Sequence, residues 1–230
     1  MNTPKLNNLK PDDFVAPICH EAIEILYQDD AILVINKPSG LLSLSGKNPL
    51  NKDSVHYRLV QEFPSALMVH RLDLGTSGLM LIALSKDIVK NLNQQFSNRS
   101  VKKTYQAILD GKPNNLKLKN DKGVIDLPIA KGVFPYQKIC HETGKAALSE
   151  YRVIKQYEHS FRVEFTPVTG RTHQLRVHSA AIGHAILGCD LYGTKLSQAK
   201  SSRLLLHANG LEFTHPVSNV AMNLECLTPF

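Results

Sequence analysis

The run His70-Arg71-Leu72-Asp73-Leu74-Gly75-Thr76-Ser77-Gly78-Leu79-Met80 constrains this chain more than any other stretch. It sets a carboxylate between an arginine and a turn of small residues, and it passes without a break into the apolar segment Leu79 to Leu84. An unbroken apolar run bounded by a turn reads as a strand buried on both faces. The fold must therefore place an acidic loop at the leading end of a buried strand. A carboxylate held there can serve as a nucleophile or a general acid/base, and a nearby arginine would keep it ionised. The competing reading is a turn aspartate that bonds to the backbone of Gly75 or Thr76.

The remaining periodicities surround that strand with others. Glu24–Tyr27 and Ala31–Ile35 read as short strands joined at Gln28-Asp29-Asp30, and Lys37-Pro38-Ser39-Gly40 breaks the pattern. Helices are predicted from Asp53 to Phe63 and from Lys86 to Phe96, with Val55, Leu59, Val60 and Phe63 on one face of the first, and Ile88, Val89, Leu92 and Phe96 on one face of the second. Val101–Leu109 alternates as a strand, and residues 111–123 form a basic, Asn-rich loop. Further strands are predicted at 123–127, 148–156, 161–166, 204–206, 210–213 and 222–226. Thr172 is placed to cap a helix running to about Ile182, stopped by Gly183. Strands outnumber helices without βαβ alternation, which predicts an α+β fold with a mixed, mostly antiparallel sheet flanked by helices and loops. No linker divides the chain. The expected organisation is an arm over residues 1–20, order from about Ile23, and one domain over residues 21–230.

Composition narrows the function. A net charge of +7 suggests a polyanionic partner, since lysines and arginines that neutralise phosphates release counterions. Cys19, Cys140, Cys189 and Cys226 are far apart with no C-x-x-C pair, which favours free thiols over a zinc or redox motif. Neither a Walker A sequence nor a dinucleotide fingerprint occurs. No apolar run reaches a membrane-span length, and Met1–Pro11 lacks a signal-peptide core. A cytoplasmic protein with no membrane partner is the expectation.

Two more clusters could carry chemistry. In Gly170-Arg171-Thr172-His173-Gln174-Leu175-Arg176-Val177-His178, Arg171 and Arg176 near a helix start could clamp phosphate or orient a carboxylate; a solvated amphipathic helix is the equally weighted alternative. His173 and His178 are five apart, the wrong spacing for a helical metal pair, so a metal-dependent hydrolase using them with Asp190 is disfavoured. In Lys102-Lys103-Thr104-Tyr105, an aromatic beside lysines could stack on a base, although a core tyrosine is the commoner outcome.

These segments together resemble the RluA family of pseudouridine synthases. His70–Met80 is similar to its HRLDxxTSG motif. Asn36-Lys37-Pro38-Ser39-Gly40-Leu41 precedes it in the family's order, and Lys103-Thr104-Tyr105, Gly170–His178, Leu187-Gly188 with Asp190 and Tyr192-Gly193, and Arg203-Leu204-Leu205-Leu206-His207-Ala208 follow. The similarity spans roughly residues 23–230. It implies the pseudouridine synthase fold and the isomerisation of uridine to pseudouridine in RNA, without metal or other cofactor. By resemblance Asp73 is the catalytic aspartate, Tyr105 stacks on the target base, and Arg176 pairs with Asp73. Arg71 fills the space left by the flipped nucleotide, and His70, Thr76, Lys103, Arg171, His173 and Leu206 contact substrate. Tyr27-Gln28-Asp29-Asp30, Lys52-Asp53-Ser54-Val55 and Glu142-Thr143-Gly144-Lys145 look most like the compact RluA subgroup, which acts on hairpin loops of tRNA and large-subunit rRNA. The implied protein is a monomer that binds RNA rather than DNA and has no N-terminal S4-type domain. Its alternative is a non-catalytic RNA-binding or RNA-folding protein on the same scaffold.

Overall fold

The computed structural model describes residues 12–230. In chain order the strands and helices are β1 (Glu24–Gln28), β2 (Ile32–Lys37), α1 (Val55–Glu62), β3 (Leu67–Met68), β4 (Ser77–Ala83), α2 (Lys86–Ser97), β5 (Lys102–Asp110), β6 (Lys122–Asp126), β7 (Ile129–Lys131), β8 (Gln137–Ile139), β9 (Leu148–Gln156), β10 (Ser160–Pro167), α3 (Gln174–Ala181), α4 (Lys195–Ala199), β11 (Leu206–Thr214) and β12 (Ala221–Glu225). Ten strands form one sheet in the order β1-β2-β4-β11-β5-β10-β9-β6, with β3 added to β4 and β12 to β11, while β7 and β8 form a separate hairpin. Among the described residues only the β4–β11 pairing is parallel; the mixed, mostly antiparallel α+β fold is as expected.

The sheet has two halves. In the first, β2 and β4 are buried along almost their whole length, and the period of two sorts their side chains to opposite faces. Val34, Leu79 and Leu81 meet Leu92 of α2 on one face, whereas Leu33, Ile35, Met80 and Ile82 meet Val55 and Leu59 of α1 on the other. Serines start both helices: Ser54 Oγ accepts from Tyr57 N, and Ser85 Oγ accepts from Ile88 N. In the second half, Ala107, Leu109, Phe161, Val163 and Phe165 share a core with Leu175 of α3 and with Leu204 and Leu206.

The halves join along the β4–β11 seam, where Ser77 pairs with His207 and Gly78 with Ala208. Gly78 is required twice over. Its φ of +112° disfavours any L side chain, and a Cβ there would lie 2.2 Å from the Ala208 carbonyl oxygen. Beside it, Ser77 Oγ bonds His207 Nδ1 at 2.8 Å. Beyond the seam, the Leu81 N–H finds no strand partner and donates instead to His70 Nε2 at 2.9 Å.

Several predicted boundaries shift. The strands expected at 204–206 and 210–213 are one strand, β11, continued across a register shift between Ala208 and Gly210. The short β3, the β7–β8 hairpin and α4 carry too little periodicity to be predicted. The first helical residue after the Gly170 loop is Gln174, not a residue capped by Thr172: His173 takes the flanking position in a left-handed conformation with no side-chain cap. Order also begins before Ile23. Ala16 N and the Phe14 carbonyl bond the Asn51 side chain, and Arg58 donates to the Cys19 and Glu21 carbonyls. Residues 1–11 of the expected arm lie outside the described residues. All four cysteines are free, and no helix among the described residues is long and apolar enough to cross a membrane.

Two outcomes test this construction. Gly78→Ala is expected to destabilise the protein by about 3 kcal/mol or more, lowering Tm by roughly 6–12 °C in a thermal melt. Burial holds His70 down to about 3 and His207 to about 4, against an ordinary 6.5. Between pH 6.5 and 4 the unfolded chain therefore binds protons that the folded chain refuses. Stability present above that window is lost as pH falls, by on the order of 1 kcal/mol per pH unit for each histidine. Urea titrations at stepped pH read the slope, which should flatten in a His70→Gln, His207→Gln double variant.

Candidate active site

A cleft of about 450 Å³ opens beside the seam. Asp73, Tyr105, Arg176, His70, Arg71, Thr76, Lys103, Arg171, His173 and Leu206 all line it. The loop before β4 supplies His70 to Thr76, β5 supplies Lys103 and Tyr105, β11 supplies Leu206, and the turn into α3 with its first helical turn supplies the rest. Residues scattered over more than a hundred positions thus meet because the seam brings β4, β11 and β5 side by side.

The Asp73 loop is held mainly through its backbone. Ser43 Oγ donates to the Leu72 carbonyl at 2.7 Å and accepts from Leu72 N at 3.1 Å. Gly40 N donates to the Leu74 carbonyl at 2.8 Å, and Ser39 Oγ to the Gly75 carbonyl at 2.7 Å. Lys37, fully buried, donates from Nζ to the carbonyls of Pro38, Leu41 and Leu74. Burial draws its amine down to about 7, with the nearby Cys19 thiol and Asp73 carboxylate acting in the opposite sense. The segment Lys37–Leu41, which from sequence could be a site loop or a mere turn, is the clamp on the Asp73 loop.

The turn itself closes through the main chain, Thr76 N to the Asp73 carbonyl at 3.1 Å. The Asp73 carboxylate is not consumed by the turn; among the described residues it accepts no hydrogen bond. Its side chain is 27 % exposed, and its nearest ionisable partner is His173 Nε2 at 4.0 Å. This geometry sets aside the turn-aspartate reading and corrects the expected Asp73–Arg176 pair. Arg176 is buried and directs its guanidinium to Asp190 and to Cys189 Sγ. The Asp73 charge still helps to hold Arg176 protonated against burial, after Cys189 and Asp190. Arg176 Nε is buried without a partner, as is Thr76 Oγ1.

Tyr105 packs against the cores of both sheet halves, and burial, reinforced by Asp73, raises its phenol well above the usual range. Burial lowers the amine of Lys103, which lies over the Phe96 ring at 5.8 Å. His70 stacks against Phe96 at 5.0 Å and spends Nε2 on the sheet, so its part in the cleft is its ring surface. Arg171 is exposed and donates from Nε to the Ala146 carbonyl. It therefore separates from Arg176, and no two-arginine clamp forms. His178 is wholly buried, with its ring nitrogens on Ser149 Oγ and the Leu127 carbonyl, which removes it from any metal site. Tyr192 is the residue that the motif reading left without a role. Its hydroxyl bonds His173 Nδ1 at 2.7 Å, and its ring lies 5.4 Å from the Arg176 guanidinium carbon.

Comparison with known proteins identifies the family. Residues 31–181 match the family model described as RNA pseudouridylate synthase. The chain is 48% identical over 209 residues to the dual-specificity RNA pseudouridine synthase RluA of Yersinia pestis, covering 90% of this chain and 99% of that protein. It is 44% identical over the same length to RluA of Escherichia coli K12, covering 90% and 93%. Among solved structures, human RNA pseudouridylate synthase domain containing 1 superposes with a TM-score of 0.76 at 27% identity, over 93% of this chain and 86% of that one. Human RNA pseudouridylate synthase domain containing 4 does so with a TM-score of 0.69 at 28% identity, over 90% and 88%. The chain belongs to the RNA pseudouridylate synthase family.

Proposed function

We propose that this protein isomerises uridines in structured RNA to pseudouridine, with Asp73 as the catalytic carboxylate. The observation that carries the reading is that Asp73, alone among the cleft's charged groups, projects an unbonded carboxylate into a space bounded by Tyr105, His173 and Arg176. A cleft of this volume admits one flipped nucleotide, and extrusion from a loop costs a few kcal/mol. Tyr105 supplies a rigid aromatic surface for the base, and its raised phenol pKa keeps the hydroxyl protonated throughout. Arg71, exposed at the rim, is placed to occupy the position the nucleotide leaves. Lys103 and Arg171 are the nearest cations for the flanking phosphates.

The isomerisation breaks the bond from C1′ to N1 and forms one from C1′ to C5, and the proton on C5 is exchanged for one on N1. The carboxylate can attack C1′, add to C6, or remove the proton at C2′ to open a glycal route; each uses the same unbonded oxygen. The proposed substrates are hairpin-loop uridines of tRNA and large-subunit rRNA, a reading supported by the dual-specificity relatives at 44–48% identity. The proposed working form is a monomer. A non-catalytic RNA binder is not favoured, because it has no use for an immobilised, unbonded carboxylate.

Two measurements test this. RNA carrying tritium at uridine C5 should release it with the wild-type protein, and Asp73→Asn should slow release by about a thousandfold or more while RNA affinity stays within a few fold. Release unaffected by that change would remove Asp73 from the chemistry. Pseudouridine mapping in a deletion strain should lose signal at one tRNA and one large-subunit rRNA position; loss confined to one RNA class would reduce the dual assignment to that class.

A further inference from the structure

Among the described residues, His173 is the basic side chain within 4.0 Å of the Asp73 carboxylate, and two features of it are unusual. Its backbone sits at φ +56° and ψ 17°, a left-handed conformation that costs a non-glycine residue of order 1 kcal/mol and persists only when surrounding contacts enforce it. Its ring bridges the nucleophile and a second hydroxyl, with Nε2 at 4.0 Å from the Asp73 carboxylate and Nδ1 at 2.7 Å from Tyr192 Oη.

Hydrogen-bond accounting decides which nitrogen carries the proton. Tyr192 Oη already accepts from the backbone N–H of Gln137, on β8, at 2.9 Å. A phenol has one hydrogen to give, and His173 Nδ1 is the one acceptor within its reach among the described residues. The arrangement that satisfies every group makes Nδ1 the acceptor. The ring, kept neutral because burial lowers its pKa, then carries its hydrogen on Nε2, facing Asp73. The opposite tautomer would leave the Tyr192 hydroxyl proton without a protein acceptor among the described residues and turn a lone pair toward a carboxylate.

We propose that His173 is a positioning residue for Asp73: it presents Nε2–H to the nucleophile, in a tautomer locked by the Gln137 amide acting through the Tyr192 hydroxyl. The contact of 4.0 Å is expected to shorten when substrate fills the cleft. One carboxylate oxygen is then held by His173, and the other is left to react. The charged groups facing the imidazole are Asp73 and Arg71 from the loop before β4, Arg176 from its own helix, and Asp190 from the following loop. Tyr192 stays protonated through the working range, since burial pushes its phenol up to about 12. The β7–β8 hairpin, otherwise remote from the chemistry, thereby sets the proton address of a group at the nucleophile.

This inference rests on the pseudouridine synthase reading, so the experiment separates the two. Nitrogen-15 NMR of histidine-labelled protein should show His173 as the Nε2–H tautomer in the wild type, moving toward Nδ1–H in Tyr192→Phe. Single-turnover tritium release should slow about 100-fold in His173→Ala, with RNA affinity within about threefold. His173→Gln, whose amide nitrogen falls near the imidazole Nε2 position, should recover most of the rate. An Nδ1–H tautomer in the wild type overturns the proposal, and so does a His173→Gln rate as low as that of a folded His173→Ala. If the alanine variant does not fold, the tautomer and the Tyr192→Phe response decide. Absence of tritium release from any RNA by the wild type would overturn the function instead, leaving the tautomer measurement to stand by itself.

Discussion

The close approach of Gly78 to Ala208 is the contact on which the rest of this molecule depends. One half of the sheet, built on β2 and β4 and sandwiched between α1 and α2, carries the Asp73 loop. The other, built on β5, β9, β10 and β11, carries Tyr105 and packs the helix that bears Arg176. β11 lends Leu211, Phe213 and Ala208 to the cores of the first half, and the parallel pairing between the halves involves Ser77 with His207 and Gly78 with Ala208. A junction that short holds register only if the backbones approach without an intervening side chain. Gly78, in the same run as Asp73, is thus a structural demand of the seam.

Around the aspartate the protein fixes backbone and leaves side chain free. Leu72, Leu74 and Gly75 are each tied by a side chain or amide from residues 37–43, so the Cα of Asp73 cannot drift. The carboxylate is spared those bonds. Catalytic groups work best when held without reorganisation at the moment of reaction; immobilising the main chain achieves this without spending the lone pairs that the reaction needs. Arg176, drawn to Asp190 and stacked on Tyr192, contributes field rather than a direct bond.

Much of this was legible in the sequence. The apolar run Leu79–Leu84 read as a buried strand, and the helices expected over 53–63 and 86–96 announced themselves by their apolar period. The ordered motifs named every cleft residue discussed from sequence, including Leu206, whose burial gives no hint of function. What stayed hidden has physical causes. An ion pair between Arg176 and Asp190, rather than Asp73, depends on a few ångströms of loop placement that residue spacing does not encode. The left-handed His173 mimics the helix cap that Thr172 appeared to offer, because a histidine in that conformation has no sequence signature. The β7–β8 hairpin has strands of three residues, too short for alternation to register. Tyr192 lay in a motif, but its partners come from β8 and α3, and only the fold unites them.

Lys37 has a consequence of a different kind. Three main-chain carbonyls converge on one ammonium inside the protein, an arrangement that elsewhere gathers oxygen atoms around a metal cation. Here the donor is covalently part of β2. Because burial draws its amine down to about 7, the tie on the Asp73 loop has its full set of three donors only while that amine is protonated, and it weakens as pH rises through neutrality.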